Sequence, residues 1–227
     1  MPPAWLSRLM DRLRAAGDSA DERRVRSVLL ARDSFADEAG FLDALTAELG
    51  PAIDERTVEV VAAHLRGPGG EGLARIGPYL DSHLGFWAAV VARSESPLAR
   101  ACHADLLLLS GERDGALDAF LDALEQDPTL VPFRGELEQL ARERGGEPWL
   151  RYRMACLRAA LAGFRPGGED DGADDDDYVR ELYGELLEDH RGDAEALERI
   201  RGLGALIDQA VARGELPRAI VRRGPRP

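Results

Sequence analysis

The residues with the clearest potential for chemistry are the acidic side chains between Glu169 and Asp177. Clustered carboxylates can ligate Mg²⁺ or Ca²⁺, which suggests a metal-dependent all-helical enzyme that uses Asp174 to Asp177. The segment does not fit an EF-hand loop, because no glycine stands sixth among acids at the first, third, fifth and twelfth positions. Its glycines and consecutive acids instead predict a solvated insertion at 165–177. We therefore predict no metal ligand here.

Two other patterns suggest sites that their surroundings do not support. Residues 67–72 satisfy the bare G-x-G-x-x-G pattern of dinucleotide-binding loops. Such a loop needs a buried strand leading into its first glycine, whereas residues 58–65 have helical spacing. Cys102, His103 and Asp105 are neighbours on a predicted helix and point in directions roughly 100° apart. They cannot meet around one substrate atom.

Several classes of enzyme are excluded by residue types and spacings. The sequence contains no lysine, so it has neither a Walker A loop nor a pyridoxal Schiff base. His64, His83 and His190 lack metal-ligand spacing, and no G-x-S-x-G nucleophile motif occurs. We predict no catalytic residue and no cofactor, and hence a protein that is not an enzyme.

The elements that carry these residues are predicted to be helices. Leu and Ala dominate the apolar residues, which favours helix over sheet. Glycine and proline divide the 227 residues into about eleven amphipathic segments. One helix begins at the capping box of Ser19 and Glu22 and another near residue 35. The remaining helices are predicted near 4–16, 54–66, 78–93, 97–110, 114–127, 130–143, 147–163, 178–190 and 193–213.

The segment 97–128 contains two short helices joined at a glycine, and its small and aromatic residues follow a recognisable series. The series consists of Ala104, Gly111, Ala116, Phe120, Ala123 and Pro128. These spacings resemble those of a tetratricopeptide repeat. The segment departs from the family at Arg100, where tryptophan is favoured, and at His103, where an aliphatic residue is favoured. Residues 131–162 and 177–208 repeat the layout more weakly, and 72–110 fits a HEAT-like repeat equally well.

The resemblance implies an all-α fold, an α-solenoid of antiparallel helix hairpins that binds a partner in a concave groove. In this family the first helices of successive units line the groove. The corresponding residues here are Leu98, Ala101, Asp105, Leu108, Leu109, Gln139, Arg142 and Glu143. The family's carboxylate clamp needs lysine and asparagine, which this chain lacks, so the partially apolar groove would suit an amphipathic helix better. Leu108 and Leu109 also fit a place in the core.

The predicted organisation has five parts. These are an N-terminal helical region at 1–93 with an amphipathic first helix, repeat-like hairpins at 94–164, the acidic disordered insertion at 165–177, a C-terminal helical hairpin at 178–215 and a basic flexible tail at 216–227. The terminal helices are expected either to cap the solenoid or to mediate assembly, homo-oligomerisation included.

Charge limits the kinds of partner. The net charge is −13, but residues 1–32 carry seven arginines against four acids and residues 213–227 carry five against one. The acidic middle repels a phosphate backbone, so a regulator that binds nucleic acid would depend on the arginine-rich ends alone.

No apolar run approaches the roughly 20 residues that span a bilayer, and two cysteines make no disulfide framework. The leading hypothesis is a cytoplasmic, non-enzymatic protein-interaction adaptor.

Overall fold

The computed structural model describes residues 20–66, 76–133, 135–162 and 175–212. All regular structure in these ranges is helical, which confirms the all-α prediction for them. The described ranges contain ten α-helices: α1 (Ala20–Leu30), α2 (Glu38–Glu48), α3 (Glu55–Arg66), α4 (Leu80–Val91), α5 (Pro97–Ser110), α6 (Arg113–Gln126), α7 (Gly135–Arg144), α8 (Gly146–Leu161), α9 (Asp175–Asp189) and α10 (Ala194–Ala212). Short 3₁₀ segments lie at Arg32–Ser34, Gly77–Tyr79 and Pro128–Phe133.

The helices follow the predicted segments closely. Helix α5 has the predicted bounds, and each of the other nine overlaps one predicted helix. The predicted first helix at 4–16 and the tail at 216–227 lie outside the described residues. Most of the predicted insertion at 165–177 also lies outside them, but its last three residues belong to α9, which begins at Asp175.

Side chains that cap the backbone determine where several helices begin. An oxygen of each capping side chain accepts a hydrogen bond from an N–H group in the first turn, which would otherwise have no partner. The capping residues of α2, α3, α5 and α10 are Asp37, Asp54, Ser96 and Asp193. These boundaries are therefore specified by residues close in sequence.

The chain divides into two compact units, unit 1 at Met1–Leu130 and unit 2 at Val131–Pro227. The division falls inside the segment 94–164 that was predicted as one run of hairpins. In unit 1, α5 packs against α3, α4 and α6, while α2 packs against α1 and α4 and α1 against α3. In unit 2, α8 packs against α7, α9 and α10, and α9 also contacts α10.

Helices α5 and α6 form a hairpin over the segment where a tetratricopeptide-like repeat was predicted. The small and aromatic residues on its inner side are fully buried, namely Ala104, Ala116, Phe120 and Ala123. Gly111 ends α5 at φ +89°, a left-handed conformation that favours glycine. The N–H groups of Gly111 and Glu112 donate to carbonyls of the preceding turn, at 3.1 Å to Leu108 and 2.9 Å to Leu107. This Schellman motif reverses the chain.

Candidate functional site

The structure places the predicted partner-binding residues in two different surroundings. Leu98, Ala101 and Asp105 on α5 are buried inside unit 1, because three helices pack around α5. Leu108 is half-buried, and only Leu109, which is 41% exposed, shows a substantial surface. The predicted groove face of α5 is therefore largely interior.

The three predicted residues on α7 are instead exposed side chains of unit 2. They are Gln139, Arg142 and Glu143. The Gln139 amide donates a hydrogen bond of 2.9 Å to Glu143, one turn later. The Arg142 side chain is 66% exposed, and its Nη2 donates to Glu138 Oε1 at 3.0 Å. These i to i+4 pairs order the surface of α7.

A half-buried tryptophan on α8 lies beside these residues. The Trp149 ring stacks on Tyr152 with centroids 5.6 Å apart and an angle of 13° between the planes. The Arg142 guanidinium carbon lies 5.1 Å from the Trp149 centroid, within range of a cation–π interaction. We define the α7–α8 patch as Gln139, Arg142, Glu143 and Trp149.

Two side chains beside the patch, the buried Tyr152 and the partly exposed Glu138, restrict Arg142. The Tyr152 hydroxyl donates a hydrogen bond of 3.1 Å to Glu138 Oε2, while Glu138 Oε1 accepts from Arg142. Burial raises the pKa of Tyr152, and the nearby Cys156 and Glu138 raise it further. Tyr152 therefore stays protonated and keeps donating. Both oxygens of Glu138 accept hydrogen bonds, which restricts its side chain and the Arg142 side chain that donates to it.

A second arginine supports Trp149 from within unit 2. The Arg153 side chain is only 7% exposed, and its guanidinium carbon lies 5.8 Å from the Trp149 centroid. Its Nη1 donates to Asp189 at 2.6 Å and its Nη2 to Glu185 at 2.5 Å, both on α9. These two bonds join α8 to α9.

The residue types of the patch are common at surfaces that bind other proteins. Within the four described ranges, no group of three or more histidine, cysteine or acidic side chains could hold a metal ion. Burial raises the pKa of the Cys156 thiol to about 12, so it is no nucleophile at neutral pH. Tryptophan, tyrosine and arginine, by contrast, are the residues enriched at interaction hot spots.

Sequence reasoning found Arg142 but missed Trp149 and Glu138. Two signals were available: Trp149 and Tyr152 stand three residues apart on one helix face, and Glu138 precedes Arg142 by one turn. Neither spacing reveals that the two helices bring these pairs together. That contact depends on the packing of α7 against α8.

The sites of the alternative hypotheses lie mainly outside the described residues. This is true of the loop at 67–72, of residues 169–174 and of most of the arginine-rich ends. Within the described part of the N-terminal end, Arg26 pairs with Glu22 at 2.6 Å and Arg32 pairs with Glu38. Among the residues that the structure describes, no helix has the length and apolar character needed to cross a bilayer.

No family model matches the chain, and no curated protein or solved structure shows significant similarity to it. The α7–α8 patch combines exposure, aromatic area and positioned charge.

Proposed function

We propose that this chain is a non-enzymatic adaptor that binds a segment of another protein, a peptide or an amphipathic helix, through the α7–α8 patch. The observation that carries the proposal is the half-exposed Trp149 ring, held between Tyr152 and the guanidinium of Arg142. Three of the eight residues predicted as partner-binding lie in this patch.

The fixed geometry of the patch favours binding. Association costs free energy when mobile side chains become ordered, about 0.5–1.5 kcal/mol for each such side chain. In the patch, Glu138 and Tyr152 already restrict Arg142 and Trp149 before a partner arrives. More of the contact energy is therefore available for affinity.

The helical hairpin of unit 1 supports a repeat architecture as part of the proposal. The positions where a tetratricopeptide repeat needs close helix contact hold Ala104, Phe120 and Ala123, all fully buried. At Arg100, where the family favours tryptophan, the guanidinium donates a hydrogen bond of 2.5 Å to Gln126 and joins the two helices in another way. The solenoid arrangement and the choice between tetratricopeptide and HEAT-like repeats remain predictions.

We place the adaptor in the cytoplasm. Cys102 and Cys156 are both buried, reduced thiols, and reduced cysteines suit a cytoplasmic compartment.

Affinity capture with the full chain as bait tests the proposal. We expect a specific partner whose recovery falls about tenfold with Trp149→Ala, since losing a hot spot worth about 1.4 kcal/mol weakens binding tenfold. Arg142→Glu should have a similar effect without unfolding the chain, because this side chain is 66% exposed.

The matched control is Arg201→Glu, which makes the same charge reversal at an exposed position of α10. It should leave recovery unchanged. A partner recovered equally with all variants would contradict the proposal, and so would the absence of any protein that distinguishes the wild type from Arg142→Glu.

A further inference from the structure

A second cluster, in unit 1, places one histidine and one arginine on a single carboxylate. His83 on α4 is 1% exposed, and its Nε2 lies 3.1 Å from Oε1 of Glu38 on α2. The same carboxylate is held by Arg32, whose Nε donates to Oε2 at 3.2 Å and whose Nη2 donates to Oε1. Oε1 of Glu38 therefore accepts from Arg32 and lies close to the imidazole, although the Nε2–Oε1 approach lacks the geometry of a hydrogen bond.

Arg32 lies in the connection between α1 and α2. It belongs to the 3₁₀ segment Arg32–Ser34. Its guanidinium carbon lies 4.9 Å from the ring centroid of Phe41, which is fully buried, and the Phe35 ring meets Phe41 edge-on at 5.7 Å. The bonds to Glu38 and the stacking on Phe41 attach this connection to the core of unit 1.

The cluster is electrically balanced only while His83 is neutral. Burial lowers the pKa of His83, and the positive charge of Arg32 lowers it further, while Glu38 opposes both. Among the described residues these two are the charged groups that act on His83, and α5, the other helix packed on α4, contributes none. Neither ring nitrogen of His83 has a hydrogen-bond partner in the described structure. The neutral ring is therefore the native form.

A proton taken from solvent would put two positive groups on one carboxylate in a site with little water. The histidine cannot leave, because α4 holds it in the core. The Arg32 side chain is 13% exposed and lies on a short connection, so it has the shorter route to solvent. We propose that protonation of His83 displaces Arg32 from Glu38 and so releases the connection between α1 and α2, making this cluster an acid-sensitive switch in unit 1.

Hydrogen exchange of the full chain, followed by mass spectrometry, tests the switch. Exchange is compared at about pH 7.5 and in steps down to about pH 4.5, because burial places the pKa of His83 below the ordinary histidine value, and rates are corrected for the intrinsic pH dependence. In the wild type, peptides covering 31–37 should exchange several-fold faster at the acid pH, while α6 stays unchanged. Uniform acceleration throughout unit 1, or none in 31–37, would overturn the proposal.

Two variants separate His83 from general acid effects. His83→Gln cannot take up a proton, so its 31–37 peptides should lose the pH response. The matched control is His103→Gln on α5, since burial also lowers the pKa of this half-buried histidine. The control should keep the response. A response that persists in His83→Gln, or disappears in His103→Gln, would contradict the assignment.

A third variant keeps the test valid if His83→Gln fails to fold. Arg32→Gln removes the competing cation, so its 31–37 peptides should exchange at pH 7.5 as fast as those of the acid wild type and change little on acidification. Slow exchange at both pH values would show that Arg32 does not fasten the connection.

Discussion

Glu22 provides the sharpest stability prediction, because it is a carboxylate with 0% exposure in the core of unit 1. Its Oε1 accepts from Arg26 Nη2 at 2.6 Å, and its Oε2 accepts from Arg56 Nε at 2.5 Å. Arg26 lies on α1 and Arg56 on α3, so the carboxylate joins two helices. The perturbation is Glu22→Gln, which preserves the size of the side chain and removes its charge.

The expected loss can be worked out from the exposure of the partners. Breaking a fully buried ion pair costs about 3–5 kcal/mol, because the remaining charge is left without compensation. Here Arg26 and Arg56 are 39% and 20% exposed, so water can reach both guanidinium groups after the change. Glutamine also still accepts one hydrogen bond. We therefore expect the free energy of unfolding to fall by about 2 kcal/mol.

The prediction has a pH dependence of definite sign. Burial by itself raises the pKa of Glu22, but hydrogen bonds from Arg56 and Arg26, and their charges, bring it below the ordinary 4.5. The stabilisation is therefore complete above the unfolded pKa and disappears as the pH falls through the lower folded pKa. The stability difference between wild type and Glu22→Gln should narrow below about pH 4.5.

Urea unfolding, followed by far-ultraviolet circular dichroism, measures the difference in the free energy of unfolding between the wild type and Glu22→Gln. Faster hydrogen exchange in α1 and α3 of the variant would show that the lost stability belongs to unit 1. The matched control is Glu48→Gln, since Glu48 is 42% exposed and lies 3.8 Å from Arg24. Its effect should stay within about 0.5 kcal/mol. A Glu22→Gln variant as stable as this control, or a difference that does not narrow in acid, would refute the reasoning.

Three further predictions concern packing. Gly115→Ala should raise the free energy of unfolding by about 0.5–1 kcal/mol, because the new Cβ meets only Leu107 at 3.8 Å. Gly111→Ala should lower it by about 1 kcal/mol, because the residue has φ +89°. Thermal unfolding compares the two variants, and a shift of the melting temperature in the same direction for both would contradict this difference in backbone conformation. Ala123→Arg should abolish cooperative unfolding of unit 1, because a charge would enter a fully buried helix contact, and an unchanged melting temperature would exclude that contact. Arg153→Met keeps an apolar stem in the core and should lower the free energy of unfolding in urea by about 1 kcal/mol, because both carboxylate partners are more than half exposed. A loss above about 3 kcal/mol would show that the ion pairs contribute more than this.

The helices could be predicted from sequence because their boundaries are local. Ser96 caps the first turn of α5 and Gly111 ends the helix in a conformation that suits glycine, so both ends follow from nearby residues. The burial of α5 is not local. Asp105 suggests a solvent face, yet it is buried because α3, α4 and α6 surround the helix. How many neighbours a helix has cannot be obtained from its own periodicity.

The same distinction applies to the candidate site. The resemblance to a tetratricopeptide repeat predicted Arg142 on a binding face, and the side chain is exposed. Its contact with Trp149, 5.1 Å from guanidinium carbon to ring centroid, joins residues on two helices and depends on how these helices cross. The cluster of Arg32, Glu38 and His83 is even less local, because His83 lies two helices further along the chain than Glu38 and the three side chains meet only after unit 1 has folded.

The position of α5 among three helices has a consequence for the order of folding. Two of those helices, α3 and α4, precede α5 in the chain, and α6 follows it directly. During synthesis, α5 therefore emerges next to helices that are already present, but one of its sides stays uncovered until α6 follows. The α5–α6 hairpin closes through contacts close in sequence, which favour rapid folding. We expect the vulnerable period of unit 1 to end when Gln126 leaves the ribosome.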